Sequence, residues 1–224
     1  MSVFSGILDL LFPPRCTFCR RILKRGENDF CSSCAGNLPV CEGSQAMQDG
    51  EYYSKCISPL YYQDIVRDSI LRYKFGSKKG YVTCYSKILA RCIEDNYGGK
   101  YDLITWVPIS TDRLKTRGYD QAMILAMATA LEIDDVAAET LKKTRDNPAQ
   151  SSLGEKDERR ANVTGAYTVT DLELIEGKRI LLIDDIVTTG ATLAECARTL
   201  LLAGAGEVMC ATIARIKELK AANN

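Results

Sequence analysis

The chain of 224 residues contains no histidine. This absence excludes serine–histidine and cysteine–histidine catalytic pairs, imidazole general bases and histidine metal ligands. A metal ion such as zinc would have to bind to sulfur or carboxylate ligands instead. The chemistry of any active site must therefore depend on carboxylates, hydroxyls, thiols and basic side chains.

The sequence also lacks a long apolar run and an excess of charge of either sign. No stretch approaches the length of a membrane span, and the opening MSVFSGILDLLF lacks the basic start and the cleavage site of a secretory signal. Lysine plus arginine and aspartate plus glutamate number 29 each, so the overall charge does not indicate a nucleic-acid partner. We therefore expect a cytoplasmic protein without a membrane span.

The ten cysteines include two CxxC pairs, formed by Cys16, Cys19, Cys31 and Cys34. In a reducing compartment, paired cysteines favour metal binding over disulfides. Two such knuckles complete the tetrahedral sulfur shell of a structural zinc site, and the alternative is four separate buried thiols. The spacing predicts one structural zinc ion. Cys41 and Cys56 have no CxxC partner, and we interpret them as ordinary thiols.

The stretch RILLIDDIVTTGAT, from Arg179 to Thr192, carries the densest chemistry. Its apolar run predicts a strand buried on both faces, as in parallel sheets, that ends at Asp184 and Asp185. A short loop and a helix follow. Unpaired N–H groups at a helix N-terminus bind anions, so we expect a phosphate to bind there. The candidate phosphate-binding residues are Ile186, Val187, Thr188, Thr189, Gly190, Ala191 and Thr192.

The two carboxylates distinguish this stretch from an ordinary phosphate loop. Ionised aspartate only accepts hydrogen bonds, which suits the vicinal hydroxyls of a ribose that carries its 5-phosphate in the loop. From Ile180 to Thr192 the sequence resembles the signature of the type I phosphoribosyltransferases, which bind 5-phosphoribosyl 1-diphosphate (PRPP). The alternative is a buried strand that ends in two solvated acids.

A basic segment follows a second predicted strand, LITWV at 103–107. A basic loop at the carboxyl end of a parallel strand lies on the ligand side of the sheet. We interpret it as the site of the PRPP diphosphate, with a solvated basic turn as the alternative; its candidate residues are Ser110, Arg113, Lys115 and Arg117. The polar stretch 146–162 is predicted to be a lid that carries Lys156 and Arg159.

The remaining periodicity predicts alternating helices and strands. An amphipathic helix is expected over 2–12, a strand that turns into a helix over 57–76, and further helices over 82–96 and 120–131, the last one capped by Asp120. Further strands are expected over 136–144, 166–169 and 207–216. This pattern indicates an α/β fold with a mainly parallel sheet flanked by helices.

Five motifs in order resemble the ComF family: FPPRC, YKFG, VPISTDRLKTRGYDQA, NPAQSSLGEKDERRAN and IDDIVTTGATLAEC. The resemblance implies a small zinc ribbon over 1–56 and a type I phosphoribosyltransferase-like domain over 57–224. It also implies a role in natural competence, with PRPP, single-stranded DNA and competence proteins as partners. The chain departs from the family at three places: after the ribbon it has only the single cysteines Cys41 and Cys56 where many members have a further CxxC pair, and it has Ser110 and Asp120 where members often have histidine and asparagine.

These features support the hypothesis of phosphoribosyl transfer. Displacement at the anomeric carbon requires stabilisation of the departing diphosphate rather than a protein nucleophile. Asp184, Asp185, Arg113 and Arg117 are the candidate catalytic residues, and Mg²⁺ would bind with the PRPP oxygens. The main alternative is an adaptor for DNA uptake that senses PRPP without chemistry. A PRPP-binding transcriptional regulator is less favoured, because no helix-turn-helix pattern is found.

Overall fold

The structure is a computed structural model that describes residues 12–75, 79–144 and 165–217. The predicted N-terminal helix, apart from its last residue, lies outside the described residues. The predicted lid also lies outside them, together with Lys156 and Arg159. In the three described ranges, no helix combines the length and the apolar character needed to cross a membrane.

The described chain forms a six-stranded, mainly parallel sheet and a separate two-stranded one. The strands are β1 Met47–Gln48, β2 Cys56–Ile57, β3 Leu60–Tyr61, β4 Leu103–Trp106, β5 Leu141–Lys143, β6 Tyr167–Val169, β7 Arg179–Val187 and β8 Glu207–Arg215. The α-helices are α1 Ser32–Ala35, α2 Asp64–Phe75, α3 Lys79–Tyr97, α4 Thr111–Arg117, α5 Gln121–Glu132, α6 Leu172–Ile175 and α7 Ala191–Leu202, and Gly43–Ala46 is a 3-10 helix.

Strands β7 and β8 form the centre of the large sheet. The order is β1-β2-β8-β7-β4, with β3 also paired to β8, and only β1 is antiparallel to its neighbour. Along β7, Leu181 and Ile183 pack in the same core as α3 and α5, whereas Ile180 and Leu182 pack in the core that contains α7. Both faces of the sheet are therefore covered, which confirms the predicted α/β class.

The prediction that the central strand ends at the acid pair is wrong. β7 continues to Val187, because β8 is equally long and its backbone still pairs there, with Val187 opposite Arg215. The strand predicted over 136–144 is shorter than expected, with only Leu141–Lys143 in the ladder. Strand β2 spans the predicted domain boundary after residue 56, and that boundary stays a prediction.

The basic segment predicted as a loop is a helix, α4. The Ser110 hydroxyl caps its N-terminus by accepting a hydrogen bond from the Arg113 N–H at 3.4 Å. Gly118 ends it with a left-handed φ of 75°, a conformation that costs glycine little. Because residues four apart share a helix face, Arg113 and Arg117 point the same way, whereas Lys115 lies on another side.

Candidate functional site

The sulfur atoms of the four cysteines in the CxxC pairs all lie within 4.8 Å of one another. Cys19 Sγ and Cys31 Sγ are 3.7 Å apart, as expected for two corners of a tetrahedron with bonds of about 2.3 Å to zinc. Cys19 is exposed and the other three are buried. Burial opposes ionisation of Cys16, but backbone N–H donors outweigh it and lower the pKa of this thiol to about 7. The cluster fits a structural zinc ion.

Cys41 and Cys56 lie apart from this cluster. Among the described residues, the cluster is the only group of cysteine and acidic side chains with metal-binding geometry. Burial raises the pKa of Cys41 to about 11 and that of Cys56 to about 12, so both stay protonated at neutral pH. Metal ligands are thiolates, and these two cysteines therefore suit the role of ordinary buried thiols.

The acid pair lies near the carboxyl end of β7 and is largely buried. The Lys74 ammonium group, at the end of α2, forms an ion pair with Asp185 at 3.0 Å. The Asp184 carboxylate accepts a hydrogen bond from the Asp185 N–H at 2.8 Å. Burial and the neighbouring carboxylate raise the pKa of Asp184 well above its ordinary value, although the same N–H group and Lys74 lower it in part.

A polar cavity of about 140 Å³ opens above the acid pair. Four cationic and two acidic side chains line it, together with apolar and polar groups from the turn after β4 and from α5, β6 and α7. The charged residues are Lys74, Arg113, Arg117, Lys143, Asp184 and Asp185; the others are Val107, Pro108, Ile109, Gln121, Ala122, Tyr167 and Thr192. The excess of positive charge and the small volume suit a compact anion.

The loop from Thr188 to Thr192 surrounds a second, smaller cavity of about 30 Å³. Gly190 takes a left-handed φ of 77° at the N-cap of α7, and a Cβ atom there would lie 2.7 Å from the Tyr53 hydroxyl oxygen. Thr189 Oγ1 accepts a hydrogen bond from the Ala191 N–H at 3.4 Å. Asp184 and Thr192 line both cavities, so the loop and the polar cavity are adjacent.

Comparisons with known proteins agree with both halves of this description. The model of the phosphoribosyl transferase domain matches residues 116–222, and that of the double zinc ribbon domain matches residues 7–57. The competence protein ComFC of Bacillus subtilis (strain 168) is 28% identical over 84% of this chain and 78% of its own. Competence protein F of Haemophilus influenzae is 25% identical over 90% and 96% of the two chains. The similarity to these competence proteins extends over most of the chain, in agreement with the predicted resemblance to the ComF family.

Another relative is the DNA utilization protein YhgH of Escherichia coli (strain K12), 25% identical over 91% of this chain and 100% of its own. Among solved structures, the adenine phosphoribosyltransferase from Saccharomyces cerevisiae aligns over 80% of this chain and 89% of its own. Its identity is 15% and its TM-score 0.38. A likeness this distant adds nothing to the functional argument.

The structure brings together most of the site residues predicted from the sequence. Arg113 and Arg117 line the polar cavity with the acid pair, and Ile186 to Thr192 line the smaller one. Ser110 serves as a helix cap, and Lys115 points to solvent beside Asp112 at 3.9 Å, so neither lines either cavity. Arg159 lies outside the described residues.

The acid at position 120 does not line the cavity. Its carboxylate accepts hydrogen bonds from the Ile109 and Met123 N–H groups, both at 3.0 Å. Burial raises the pKa of Asp120, although these N–H groups lower it in part. As predicted, Asp120 caps α5, and it also fixes the turn after β4.

Sequence reasoning missed four residues at the site: Lys74, Lys143, Tyr167 and Tyr53. Lys74 was visible as part of YKFG, but nothing in the sequence shows that the end of α2 faces Asp185. Lys143 lies 5.4 Å from the centre of the Tyr167 ring, across the two strands of the small sheet. Only the pairing of β5 with β6 could have indicated that these two side chains meet.

Proposed function

We propose that this protein binds PRPP at the carboxyl edge of β4 and β7 and transfers its phosphoribosyl group. The observation that carries the proposal is that the two cavities are adjacent and share Asp184 and Thr192 in their walls. The smaller cavity would take the 5-phosphate, because the N-terminus of a helix favours an anion and Thr188, Thr189 and Thr192 add hydroxyl groups to the lining. The acid pair would accept hydrogen bonds from the ribose hydroxyls.

In this arrangement the diphosphate lies against Arg113 and Arg117. Arg117 is held in place by Gln121, whose Oε1 accepts a hydrogen bond from Nη1 at 2.8 Å, and by the ring of Phe75, whose centre is 5.3 Å from Cζ. These guanidinium groups stabilise the negative charge of the departing diphosphate as the anomeric carbon becomes oxocarbenium-like. Mg²⁺ would bind mostly to the PRPP oxygens, because it uses few protein carboxylates, and it would supply further charge neutralisation.

Calorimetry with PRPP and Mg²⁺ tests this proposal. The double variant Asp184→Asn, Asp185→Asn should bind PRPP at least about tenfold more weakly, a loss of about 1.4 kcal/mol. The matched control is Asp134→Asn, Asp135→Asn, which removes an equally adjacent pair of charges from the turn after α5. Unchanged affinity in the first variant would show that the acids do not hold the ribose.

Transfer itself needs a second measurement. Mass spectrometry of PRPP incubated with the protein, Mg²⁺ and candidate bases or oligonucleotides should detect a ribosylated product. If PRPP binds but no acceptor is modified, the protein is instead a PRPP-sensing adaptor. Two exposed basic side chains outside the cavity, Lys115 and Lys142, favour such a role in handling single-stranded DNA during competence.

Binding of a labelled single-stranded oligonucleotide tests the DNA role. We expect weak, sequence-tolerant binding that falls steeply with salt, because released counterions supply most of the free energy. If DNA also uses Arg113 and Arg117, saturating PRPP should displace it. No binding at low salt would contradict the DNA role and leave that of PRPP untouched. We also propose a cytoplasmic location, because the zinc ligands must stay reduced.

A further inference from the structure

The C-terminal end of α2 contacts the acid pair and two residues at the entry to α5. The Lys74 ammonium group contacts Asp185 at 3.0 Å, and both side chains are largely buried. The Tyr73 hydroxyl donates a hydrogen bond to the Gln121 carbonyl at 2.8 Å, and the Tyr73 carbonyl accepts one from the Tyr119 hydroxyl. A displacement of this helix end would therefore disturb the acid pair and the entry to α5 together.

The side of α2 one turn earlier is bonded to the first zinc knuckle. The Ser69 hydroxyl donates to the Thr17 carbonyl at 2.8 Å, and both residues are buried. Arg72 donates from Nη2 to the Phe18 carbonyl. These two carbonyls lie between Cys16 and Cys19, inside the turn whose shape zinc binding would fix.

Packing reinforces this connection. A row of aromatic rings runs from the ribbon to the floor of the site, with neighbouring centroids between 5.6 and 6.3 Å apart. Its members, in order, are Phe30, Phe18, Tyr85, Tyr73 and Tyr119. The hydroxyl of Ser69 also contacts that of Tyr85 at 2.6 Å, so the helix, the knuckle and the ring row form one buried unit. Close-packed interiors transmit displacement rather than absorb it.

We propose that zinc binding at the ribbon and PRPP binding at the cavity are thermodynamically linked through α2, with Lys74 as the positioning residue at the cavity. Lys74 offsets the repulsion between the adjacent carboxylates and fixes Asp185 for the ribose hydroxyls. The zinc knuckle holds Lys74 in place through Ser69 and Arg72. This inference depends on the proposed binding of PRPP, and it assigns the ribbon a part in that function.

Linkage requires that each ligand raise the affinity for the other by the same factor. Zinc affinity of the full chain is measured by competition with a chromophoric chelator, with and without saturating PRPP and excess Mg²⁺. We expect PRPP to raise zinc affinity at least about fivefold, the lower end of typical coupling. The Asp184→Asn, Asp185→Asn variant, which is expected to bind PRPP weakly, is the control for a direct effect of PRPP on the chelator.

Two variants separate linkage from mere stabilisation of the fold. Lys74→Met and Arg72→Met should keep their zinc and their circular dichroism, bind PRPP more weakly, and lose the effect of PRPP on zinc affinity. Arg67→Met is the matched control, because Arg67 is on the same helix but is exposed and pairs only with Asp68, at 3.7 Å, among the described residues. If Arg72→Met does not fold, Ser69→Ala removes the other contact to the knuckle.

The possible outcomes are distinct. If the wild-type protein binds PRPP and its zinc affinity does not change, the linkage is wrong and the proposed function stands. If coupling persists undiminished in folded Lys74→Met and Arg72→Met, α2 is not the connection. If the wild-type protein does not bind PRPP, the proposed function fails, and the linkage fails with it.

Discussion

Two cavities of the described chain differ in size and in chemistry. An apolar groove of about 410 Å³ lies between the ribbon side of the chain and α3, whereas the polar cavity beside the acid pair measures about 140 Å³. The groove is lined by Phe30, Leu38, Val40, Cys41, Gly43, Ala46, Pro59, Leu60, Ile88, Arg91, Cys92, Asp95 and Asn96. Its few charges lie on one turn of α3, where Arg91 and Asp95 approach to 4.0 Å.

The comparison shows that volume alone does not locate the function of this protein. The groove is a gap between packed parts of the chain, and its lining residues do not direct their polar groups at a common point. The polar cavity directs four cationic groups and two carboxylates into one third of that space, and Asp184 is held there with a raised pKa. A shifted pKa and charged side chains that are directed into one cavity are typical of a ligand-binding site.

The largest effect should follow from loss of the zinc ligands. Cys34→Ser should reduce the zinc content below one ion per chain and unfold the ribbon, because a structural site contributes about 10–16 kcal/mol of apparent binding energy to folding. The wall of the groove that the ribbon forms should be lost with it. Cys41→Ser is the matched control, since this buried thiol lines the groove but lies outside the cluster. Elemental analysis that finds full zinc in Cys34→Ser would contradict the assignment.

The next effect concerns the cations of the polar cavity. Arg113→Ala with Arg117→Ala should weaken PRPP binding by at least about 100-fold, because each charged hydrogen bond is worth about 1.5–3 kcal/mol. Lys115→Ala, on the same helix but directed to solvent, should change affinity less than about threefold. Calorimetry with PRPP measures these affinities in the wild-type protein, in the double variant and in Lys115→Ala. An equal loss in Lys115→Ala would mean that α4 attracts the ligand by general charge rather than by a defined face.

These arginines also show how far the sequence could predict the site. The acid pair, the hydroxyl loop and the four cysteines were predictable, because each is a contiguous or closely spaced motif with a fixed chemical role. The division between Arg113 or Arg117 and Lys115 was not, because the segment was predicted as a loop and only helical periodicity separates them. Lys74 and Tyr53 come from elements distant in the sequence, and their places depend on tertiary packing.

A smaller effect is expected at the edge of the phosphate loop. Gly190→Ala would place a Cβ atom 2.7 Å from the Tyr53 hydroxyl at a φ of 77°, so both strain and a clash oppose it. We expect a stability loss of more than the roughly 1–2 kcal/mol of left-handed strain alone, together with weaker PRPP binding. Gly99→Ala isolates the strain, since its φ is 69° and no atom lies within 4 Å of the new methyl group.

Adding Tyr53→Phe should recover part of the loss in Gly190→Ala, because the nearest clashing atom is the hydroxyl oxygen and the next ring atom is 3.9 Å away. Urea unfolding of the two single variants and the double variant measures this coupling. Strictly additive losses would show that Tyr53 does not limit the space at Gly190.

The smallest expected effect is a difference between an acid of the cavity and an acid of the surface in how each makes stability depend on pH. Because the folded protein raises the pKa of Asp184, it holds this proton more tightly than the unfolded chain does. That contribution to stability is complete below the unfolded pKa, near 4, and is lost as the pH rises through the folded pKa. Asp184→Asn cannot titrate, so its free energy of unfolding should exceed that of the wild type by about 1 kcal/mol more at pH 8 than at pH 5.

Asp102 provides the control of opposite sign, because Arg179 lowers its pKa to about 2 through a hydrogen-bonded ion pair at 2.6 Å. Its contribution to stability is present above the unfolded pKa and is lost only as the pH falls toward 2. Asp102→Asn should therefore be less stable than the wild type by a similar amount at pH 5 and pH 8. Urea unfolding of zinc-saturated proteins at both pH values makes the comparison, and a pH-independent difference for Asp184→Asn would mean that Asp184 is already ionised in the free protein.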